Sequence, residues 1–373
     1  MLKLRRGTVS QAEPLRVRVG PAERPAWADE GIVGPVLEGD EVIVNTEALD
    51  LGLGSGGYDI VHVNLTRGLD SPGAEAAAAM KLNYTSLQHS VDPVEAWKGD
   101  DEPEADDRDW GFLDADDDGD AGIKPAVPVL VLSLHGQLAP ATWAARRGSS
   151  ELRVGYIQTW GGALPGAISR DVAELRTSEL LCGHVTAGPA YGGEQEALTT
   201  IGALRAAVEV LGWEAVIVGP GPGIAGSDSE LGHGGMSALD AAHASLILGY
   251  ETLLAPRMSS GDPRPRHRGV SHHTVTVLRM LLGNVRVPAP AEVGRTSPFP
   301  QINGGDVPLE RLREACGGRH ELWVRDAPVD EYAESGLPAE HMDRGIGEDP
   351  LFFAAALAAG DGLAAAAQTE RVM

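Results

Sequence analysis

Residues 214–227 have the sequence Glu-Ala-Val-Ile-Val-Gly-Pro-Gly-Pro-Gly-Ile-Ala-Gly-Ser, a short apolar run that passes directly into a glycine-rich loop. Such a run is typical of a strand that is buried on both faces of a sheet. Similar apolar runs begin at Val127, Leu152, Leu180 and Glu251. Helical patterns alternate with them, over residues 140–147, 167–176, 194–211 and 236–248. This alternation predicts an α/β domain with a mostly parallel sheet and helices on both faces, a three-layer arrangement.

The first 65 residues show a different pattern, in which apolar and polar residues alternate one by one. The clearest cases are Leu15-Arg-Val-Arg-Val, Glu41-Val-Ile-Val-Asn and Ile60-Val-His-Val-Asn-Leu. Half-buried strands of this kind predict a small N-terminal antiparallel β domain. The predicted organisation is a β-rich domain at 1–95, an acidic disordered insert or linker at 96–124, the α/β domain at 125–290, and a C-terminal extension at 291–373 that packs on the α/β domain.

Composition excludes some classes of partner. The 373-residue chain has a formal charge of −24, which argues against general binding to nucleic acid or to an anionic membrane surface. The sequence shows no apolar run of about 18 residues, the length of a spanning helix, and no secretory signal at its N-terminus. We expect Cys182 and Cys316 to be free thiols. These features predict a cytoplasmic protein, and they leave homo-oligomerisation open.

The loop at 256–274 is the main candidate for a functional site. Its sequence, Pro-Arg-Met-Ser-Ser-Gly-Asp-Pro-Arg-Pro-Arg-His-Arg-Gly-Val-Ser-His-His-Thr, concentrates cationic and histidine side chains in a strongly acidic protein. Loops that follow parallel strands meet at the carboxyl edge of the sheet. We therefore expect this loop to face the glycine-rich loop. The candidate residues are Arg257, Asp262, Arg264, Arg266, His267, Arg268, His272 and His273.

One interpretation of these loops is a site for a small anion. Arginine forks suit carboxylates and phosphates, and glycine-rich backbone can form an anion nest. The predicted anion ligands are Arg257, Arg264, Arg266, Arg268, Gly221, Gly223, Gly226, Ser227 and, from the first domain, Lys81. The alternatives are that the arginines pair with the protein's own carboxylates, that the glycines only shape a tight connection, and that Lys81 lies on an exposed strand face.

The histidines suggest acid–base chemistry, because imidazole titrates near neutral pH. In this hypothesis Asp262 orients His267 or His272, with His273 as a further catalytic candidate. A divalent metal bound by residues such as His233, His267 and His272 is an alternative. On a strand, the adjacent His272 and His273 would diverge, so at most one would join a given site. Ser271 is also a candidate N-cap for a following helix.

A nicotinamide cofactor is disfavoured. The spacing Gly221-Pro-Gly-Ile-Ala-Gly matches a dinucleotide turn on paper, but Pro222 removes an amide donor and no helix begins at once. The cofactor therefore stays unassigned.

Five stretches together resemble a bacterial family known as domain of unknown function 3866. They are Leu51-Gly-Leu-Gly-Ser-Gly-Gly-Tyr-Asp-Ile-Val-His-Val-Asn-Leu-Thr, Met80-Lys-Leu-Asn-Tyr-Thr-Ser-Leu-Gln, Gly161-Gly-Ala-Leu-Pro, Gly219-Pro-Gly-Pro-Gly-Ile-Ala-Gly-Ser and Arg266-His-Arg-Gly-Val-Ser-His-His-Thr. The resemblance implies no activity. The residues of the two loops favour a cytoplasmic enzyme, a hydrolase or transferase, that acts on a small anionic metabolite, with a phosphorylated compound as one option. The alternative is a non-catalytic metabolite-binding or regulatory protein that uses the same pocket.

Overall fold

The structure is a computed structural model that describes residues 2–53, 56–69, 73, 77–97, 127–290 and 308–370. The chain divides into two compact units. One consists of Met1–Asp92 with Pro165–Ile168, and the other of Pro93–Leu164 with Ser169–Met373. The acidic insert predicted at 96–124 lies outside the described residues from position 98 onward.

The first unit is built on a closed five-stranded barrel with the order β1-β2-β3-β5-β4. Its elements are β1 (Leu4–Gln11), β2 (Arg16–Val19), β3 (Ala22–Trp27), α1 (Glu30–Val33), β4 (Glu41–Asn45), α2 (Glu47–Leu51), β5 (Asp59–Asn64), β6 (Ala79–Lys81) and β7 (His89–Val91). The alternation seen in the sequence has the expected cause, since Val42 and Val44 are buried in the barrel core while Glu41 is exposed. The predicted antiparallel β domain is confirmed, with one parallel pair between β3 and β5.

The second unit is an eight-stranded sheet with the order β11-β10-β9-β12-β8-β13-β16-β17. Every neighbouring pair in it is parallel, so the predicted α/β class is confirmed. The unit's elements are β8 (Pro128–Val131), α3 (Leu138–Gly148), β9 (Val154–Thr159), α4 (Arg170–Thr177), β10 (Gly183–Ala187), β11 (Gln195–Ala197), α5 (Thr200–Glu209), β12 (Ala215–Pro220), α6 (Ser237–Ile247), β13 (Glu251–Leu254), β14 (Met258–Ser259), β15 (Gly269–Val270), α7 (His272–Met280), β16 (Arg286–Pro290), α8 (Pro308–Cys316), β17 (Glu321–Arg325), α9 (Val329–Ala333), β18 (Glu340–His341), β19 (Arg344–Gly345) and α10 (Pro350–Glu370).

Successive residues of the central strands face opposite sides of this sheet and so divide the core into two layers. Val216 and Val218 of β12 belong to a cluster that includes residues of α5, α6 and α7. Ala215 and Ile217 of the same strand belong to a cluster that includes residues of α3, α4 and α10. The near-continuous apolar runs in the sequence are explained by this burial on both faces.

The last helix, α10, is a long apolar helix in the stretch that was predicted as a C-terminal extension. It is long and apolar enough to cross a membrane over Pro350–Thr369, but 83% of its most apolar window is buried inside the protein. It packs against α3, and a Cβ atom on Gly360 would overlap the backbone of Ala141. The expectation that no such apolar run exists was wrong, and this run forms a core helix.

Several other elements differ from the sequence-based assignments. The helix predicted from residue 194 begins at Thr200, because Gln195–Ala197 forms the edge strand β11. Strands β16 and β17 were not predicted, and β17 and α10 come from the stretch assigned as a C-terminal extension. Residues Pro265–His267 form a 3-10 turn, so Arg264, Arg266 and Arg268 do not lie along one extended stretch.

Candidate functional site

Two long loops at the carboxyl edge of the parallel sheet carry the candidate site. One follows β12 and leads to α6, and the other follows β13 and leads to α7. They meet where Arg266 Nη1 pairs with Asp228 Oδ1 at 2.5 Å and where the ring of His233 contacts those of His272 and His273. The predicted meeting of the glycine-rich loop region with the arginine- and histidine-rich loop is therefore observed at this edge.

Four imidazole rings come together between these loops, and we call them the histidine cluster: His233, His267, His272 and His273. His233 and His273 stack with ring centroids 3.4 Å apart. His272 lies 4.3 Å from His273 and 4.9 Å from His267 between ring centroids. The expectation that His272 and His273 diverge was wrong, because they occupy the first turn of a helix and not a strand.

Local structure fixes each ring of the cluster. Ser271 is the N-cap of α7, as the sequence suggested, and its Oγ accepts a hydrogen bond from the His273 backbone N–H at 3.2 Å. The same Oγ lies 2.8 Å from His267 Nδ1. His233 immediately precedes a 3-10 turn, Gly234–Met236, that leads into α6. One serine thus holds both the start of α7 and the ring of His267.

The ring nitrogens of the cluster are used unequally. His233 Nε2 lies 3.1 Å from the carbonyl oxygen of Glu230, while its Nδ1 is buried and has no hydrogen-bond partner among the described residues. His272 Nδ1 is likewise buried without a hydrogen-bond partner in the described chain. His267 differs, because Arg266 Nε donates to its Nε2 at 3.4 Å and Ser271 holds its Nδ1.

The cluster is held in its neutral form. Burial lowers the pKa of His267 to about 3 and that of His273 to about 2, and the positive charge of Arg257 acts in the same direction. Burial also lowers the pKa values of His233 and His272. At neutral pH these imidazoles can therefore accept protons or offer lone pairs.

Asp262 makes different contacts from those that the acid–base hypothesis requires. Its fully buried carboxylate accepts hydrogen bonds from Arg264 Nε at 2.9 Å and Arg264 Nη2 at 2.8 Å, and from Arg257 Nη2 at 3.4 Å. Burial would raise the pKa of Asp262, but the Arg264 hydrogen bonds outweigh it and the pKa falls below its usual range. The carboxylate thus anchors arginines, and the partner of His267 Nδ1 is Ser271.

Most of the predicted anion-binding arginines are engaged within the protein. Arg257 is buried, and it connects Asp262 to His273 Nδ1, which lies 3.1 Å from Arg257 Nη1. Arg268 Nε donates to the backbone carbonyl of Asp262 at 2.9 Å, and Arg266 pairs with Asp228. This geometry matches the alternative interpretation, in which the arginines pair with the protein's own carboxylates and backbone.

The glycine-rich loop also has a packing role. A side chain on Gly221 would overlap the backbone of Ala163, so this glycine permits two loops to approach closely. Gly226 forms an isolated bridge with His233, and Ser227 Oγ donates to Gly232 O at 3.0 Å. Gly223 has a positive φ of 72° and open space around it. Of these four residues, Gly223 is the one with open space beside its Cα atom.

Lys81 belongs to the first unit, at the end of β6. It is buried, so the alternative in which it lies on an exposed strand face is wrong. Asn83 lies in the turn after β6 and therefore does not share a strand face with Lys81.

A pocket of about 330 Å³ adjoins the histidine cluster through His272. It lies between α7 and α8, which pack together. The residues that line it are Glu230, His272, Val275, Thr276, Arg279, Arg311, Glu314 and Ala315. Within the described chain, neither Arg279 nor Arg311 forms an ion pair with an acidic side chain. The pocket therefore offers two cationic side chains that are available to a ligand.

Sequence reasoning missed the pocket arginines, although helical spacing carried the signal. His272, Thr276 and Arg279 stand at positions i, i+4 and i+7 of α7, which places them on one face. Arg311, Glu314 and Ala315 have the spacing i, i+3 and i+4 on α8. The histidine motif at the N-terminus of α7 was identified from the sequence. The residues that share a face of the helix with His272 were not.

Fold and site together define an α/β protein with a barrel unit and a histidine cluster beside a pocket that is lined by two arginines and two glutamates. The chain belongs to the family described as Protein of unknown function (DUF3866), whose model matches residues 26–360. No curated protein and no solved structure gives a significant match.

Proposed function

We propose that this protein is an enzyme, a hydrolase or transferase, that acts on a small anionic metabolite in the pocket between α7 and α8. The observation that carries the proposal is that one pocket contains a histidine of the cluster together with Arg279 and Arg311. Guanidinium groups without a protein carboxylate partner suit a phosphate or carboxylate ligand. The volume of about 330 Å³ fits a small molecule.

His272 is the proposed proton carrier. It is half-buried, it lines the pocket, and its pKa is lowered by burial, so the neutral ring can act as a general base. Asp262 has a supporting part in this proposal, because it holds Arg257 and Arg264. His267 and His273 are positioning residues, since each has a ring nitrogen bonded to a neighbouring side chain.

We place this activity in a bacterial cytoplasm, without nucleic-acid or membrane partners. The net charge of −24 supports this setting, as do the free thiols of Cys182 and Cys316, which a reducing compartment would maintain. The bacterial setting is part of the proposal and follows the resemblance noted from the sequence. Homo-oligomerisation is compatible with the proposal and is not needed for it.

Binding is tested by thermal shift and calorimetry with a set of small phosphorylated and carboxylated metabolites. We expect at least one compound to stabilise the wild type, and Arg279→Met and Arg311→Met each to weaken it by about 1.5–3 kcal/mol, roughly 10- to 150-fold in Kd. Arg205→Met is the matched control, because Arg205 pairs with Glu209 on the surface of α5. Arg266→Met tests the anion ligand that the sequence suggested.

Two outcomes would change the proposal. If Arg266→Met abolishes binding while the pocket variants bind normally, the anion site lies in the loop and not in the pocket. If a compound binds as expected but is never consumed, the protein is the non-catalytic metabolite-binding or regulatory protein that was the alternative.

A further inference from the structure

We infer that His233, His272 and His273 together hold a divalent transition-metal ion of the zinc class. Each ring offers a nitrogen, and the three nitrogen atoms lie within 4.8 Å of one another. The inference deepens the proposed function: with the ion bound, His272 and His273 are metal ligands, and a water on the ion takes the place of the free His272 ring as the group that loses its proton. It rests on that function only for what the ion would do, because metal binding can be measured without turnover.

Two lone pairs in the cluster are open. His233 is 8% exposed, and with its Nε2 directed at the Glu230 carbonyl its Nδ1 carries the free lone pair. His272 Nδ1 is also buried and has no hydrogen-bond partner among the described residues. A buried polar atom without a partner costs about 1–3 kcal/mol. A metal ion is a ligand that would satisfy both nitrogens at once.

The outer contact of the His233 ring is one that metal-bound histidines make. A ligating imidazole donates its other N–H to a carbonyl or carboxylate, which fixes the tautomer and the orientation of the ring. His233 directs Nε2 at the carbonyl of Glu230. The His233 ring is therefore already fixed in the form that leaves Nδ1 for a metal.

His273 is the third ligand, and its use requires a local rearrangement. Its ring must rotate out of the stack on His233, because the lone pairs of parallel rings 3.4 Å apart do not converge on one ion. Its Nδ1 accepts a hydrogen bond from Arg257, which the ion would replace. Arg257 also pairs with Asp262, 3.4 Å away. It can keep this ion pair when it releases the ring of His273.

The donor set determines the class of metal. Imidazole nitrogens suit Zn²⁺, Ni²⁺, Cu²⁺ and Co²⁺, whereas Mg²⁺ and Ca²⁺ prefer oxygen ligands. Three protein ligands leave a coordination position for water or for a substrate oxygen. Since His272 also lines the pocket with Arg279 and Arg311, the ion would stand beside the bound anion and could activate a water for hydrolysis.

The test is a titration of untagged full-length protein, freed of metal with a chelator, with Co²⁺ as the probe. We expect one equivalent to bind and to give the visible absorption bands of nitrogen-ligated Co²⁺. Zn²⁺ should displace it and Mg²⁺ should not. His233→Gln and His272→Gln should each weaken Co²⁺ binding at least about 100-fold, since even outer contacts of metal ligands are worth 10- to 100-fold. His62→Gln, in the barrel, should bind like the wild type.

The inference is overturned if folded wild-type protein shows no Co²⁺ bands at millimolar metal, or if the bands persist equally in His272→Gln. His272 is half-buried, so this variant remains informative even if His233→Gln does not fold. Failure of the proposed function looks different, because a protein that binds Co²⁺ as described but binds no anion keeps its metal site.

Discussion

His233 and His273 stack face to face, with ring centroids 3.4 Å apart and ring planes 7° from parallel. His233 lies in the loop after β12, and His273 lies in the first turn of α7. Two protonated rings at this separation would repel strongly, and burial lowers the pKa of both. The stack therefore depends on neutral imidazoles and joins the two loops that form the site.

Loss of the Asp262 carboxylate should destabilise the protein strongly. Asp262→Asn leaves the buried Arg257 without its charged partner, which costs about 3–5 kcal/mol for a broken buried pair. Asp228→Asn is the matched control: Asp228 is 78% exposed where it pairs with Arg266, so the loss should stay below about 1 kcal/mol. Urea unfolding of both variants measures the difference. Equal small losses would mean that Asp262 does not anchor the arginines.

The hydroxyl of Ser271 should contribute more than an ordinary helix cap. Ser271→Ala removes the cap of α7 and also the partner of His267 Nδ1, for a total of roughly 2 kcal/mol or more. Thr199→Ala removes only an exposed cap, that of α5, and should cost about 1 kcal/mol. Denaturant unfolding compares the two, and a Ser271→Ala loss no larger than that of Thr199→Ala would contradict the double role.

Close packing of α10 on α3 should make Gly360 intolerant of a side chain. Gly360→Ala forces a Cβ atom into the backbone of Ala141, an overpacking that typically costs about 1–3 kcal/mol. Gly347→Ala is the control, because a Cβ there would meet open space. Calorimetry should show a Tm several degrees lower for Gly360→Ala alone. Matching Tm values would mean that the two helices are farther apart than the structure has them.

The buried ring of His184 should make the protein sensitive to acid. Burial lowers the pKa of His184 to about 3, against about 6.5 in the unfolded chain. The unfolded state therefore binds the extra proton, and stability is lost as the pH falls below about 6.5. His184→Phe can keep the stacking on Tyr156, whose ring centroid is 5.4 Å away. Between pH 7 and 5 this variant should lose about 2 kcal/mol less unfolding free energy than the wild type, and parallel curves would contradict the assignment.

Local patterns predicted the elements whose burial is regular. Strand β4 was predicted from the alternation of its residues, and β12 from its apolar run. The role of Ser271 as a helix N-cap was predicted from its position before the helix. Strand β16 was missed because Pro288 and Pro290 lie within it, and proline ordinarily argues against a strand inside a sheet. The proposed anion pocket was missed for a different reason. Arg279 and Arg311 are far apart in the chain, and only the packing of α8 on α7 brings them to one pocket.

The same limit applies within the histidine-rich loop. The sequence shows its arginines close together, but a turn at Pro265–His267 gives them different partners. Asp262 was expected to orient a histidine, but its carboxylate pairs with Arg257, Arg264 and Arg344 instead. Residue types identified the place of the site, whereas the pairing within it required the structure.

The most direct test of the account is depletion of anionic metabolites, followed by mass spectrometry. Wild-type protein is incubated with the small-molecule fraction of a bacterial extract, beside His272→Gln and the double variant Arg279→Met/Arg311→Met, each first shown to be folded. We predict that the wild type consumes an anionic compound that both variants leave intact. Persistence of every anionic compound with the wild type, or equal consumption by His272→Gln, would contradict an enzyme acting at this pocket.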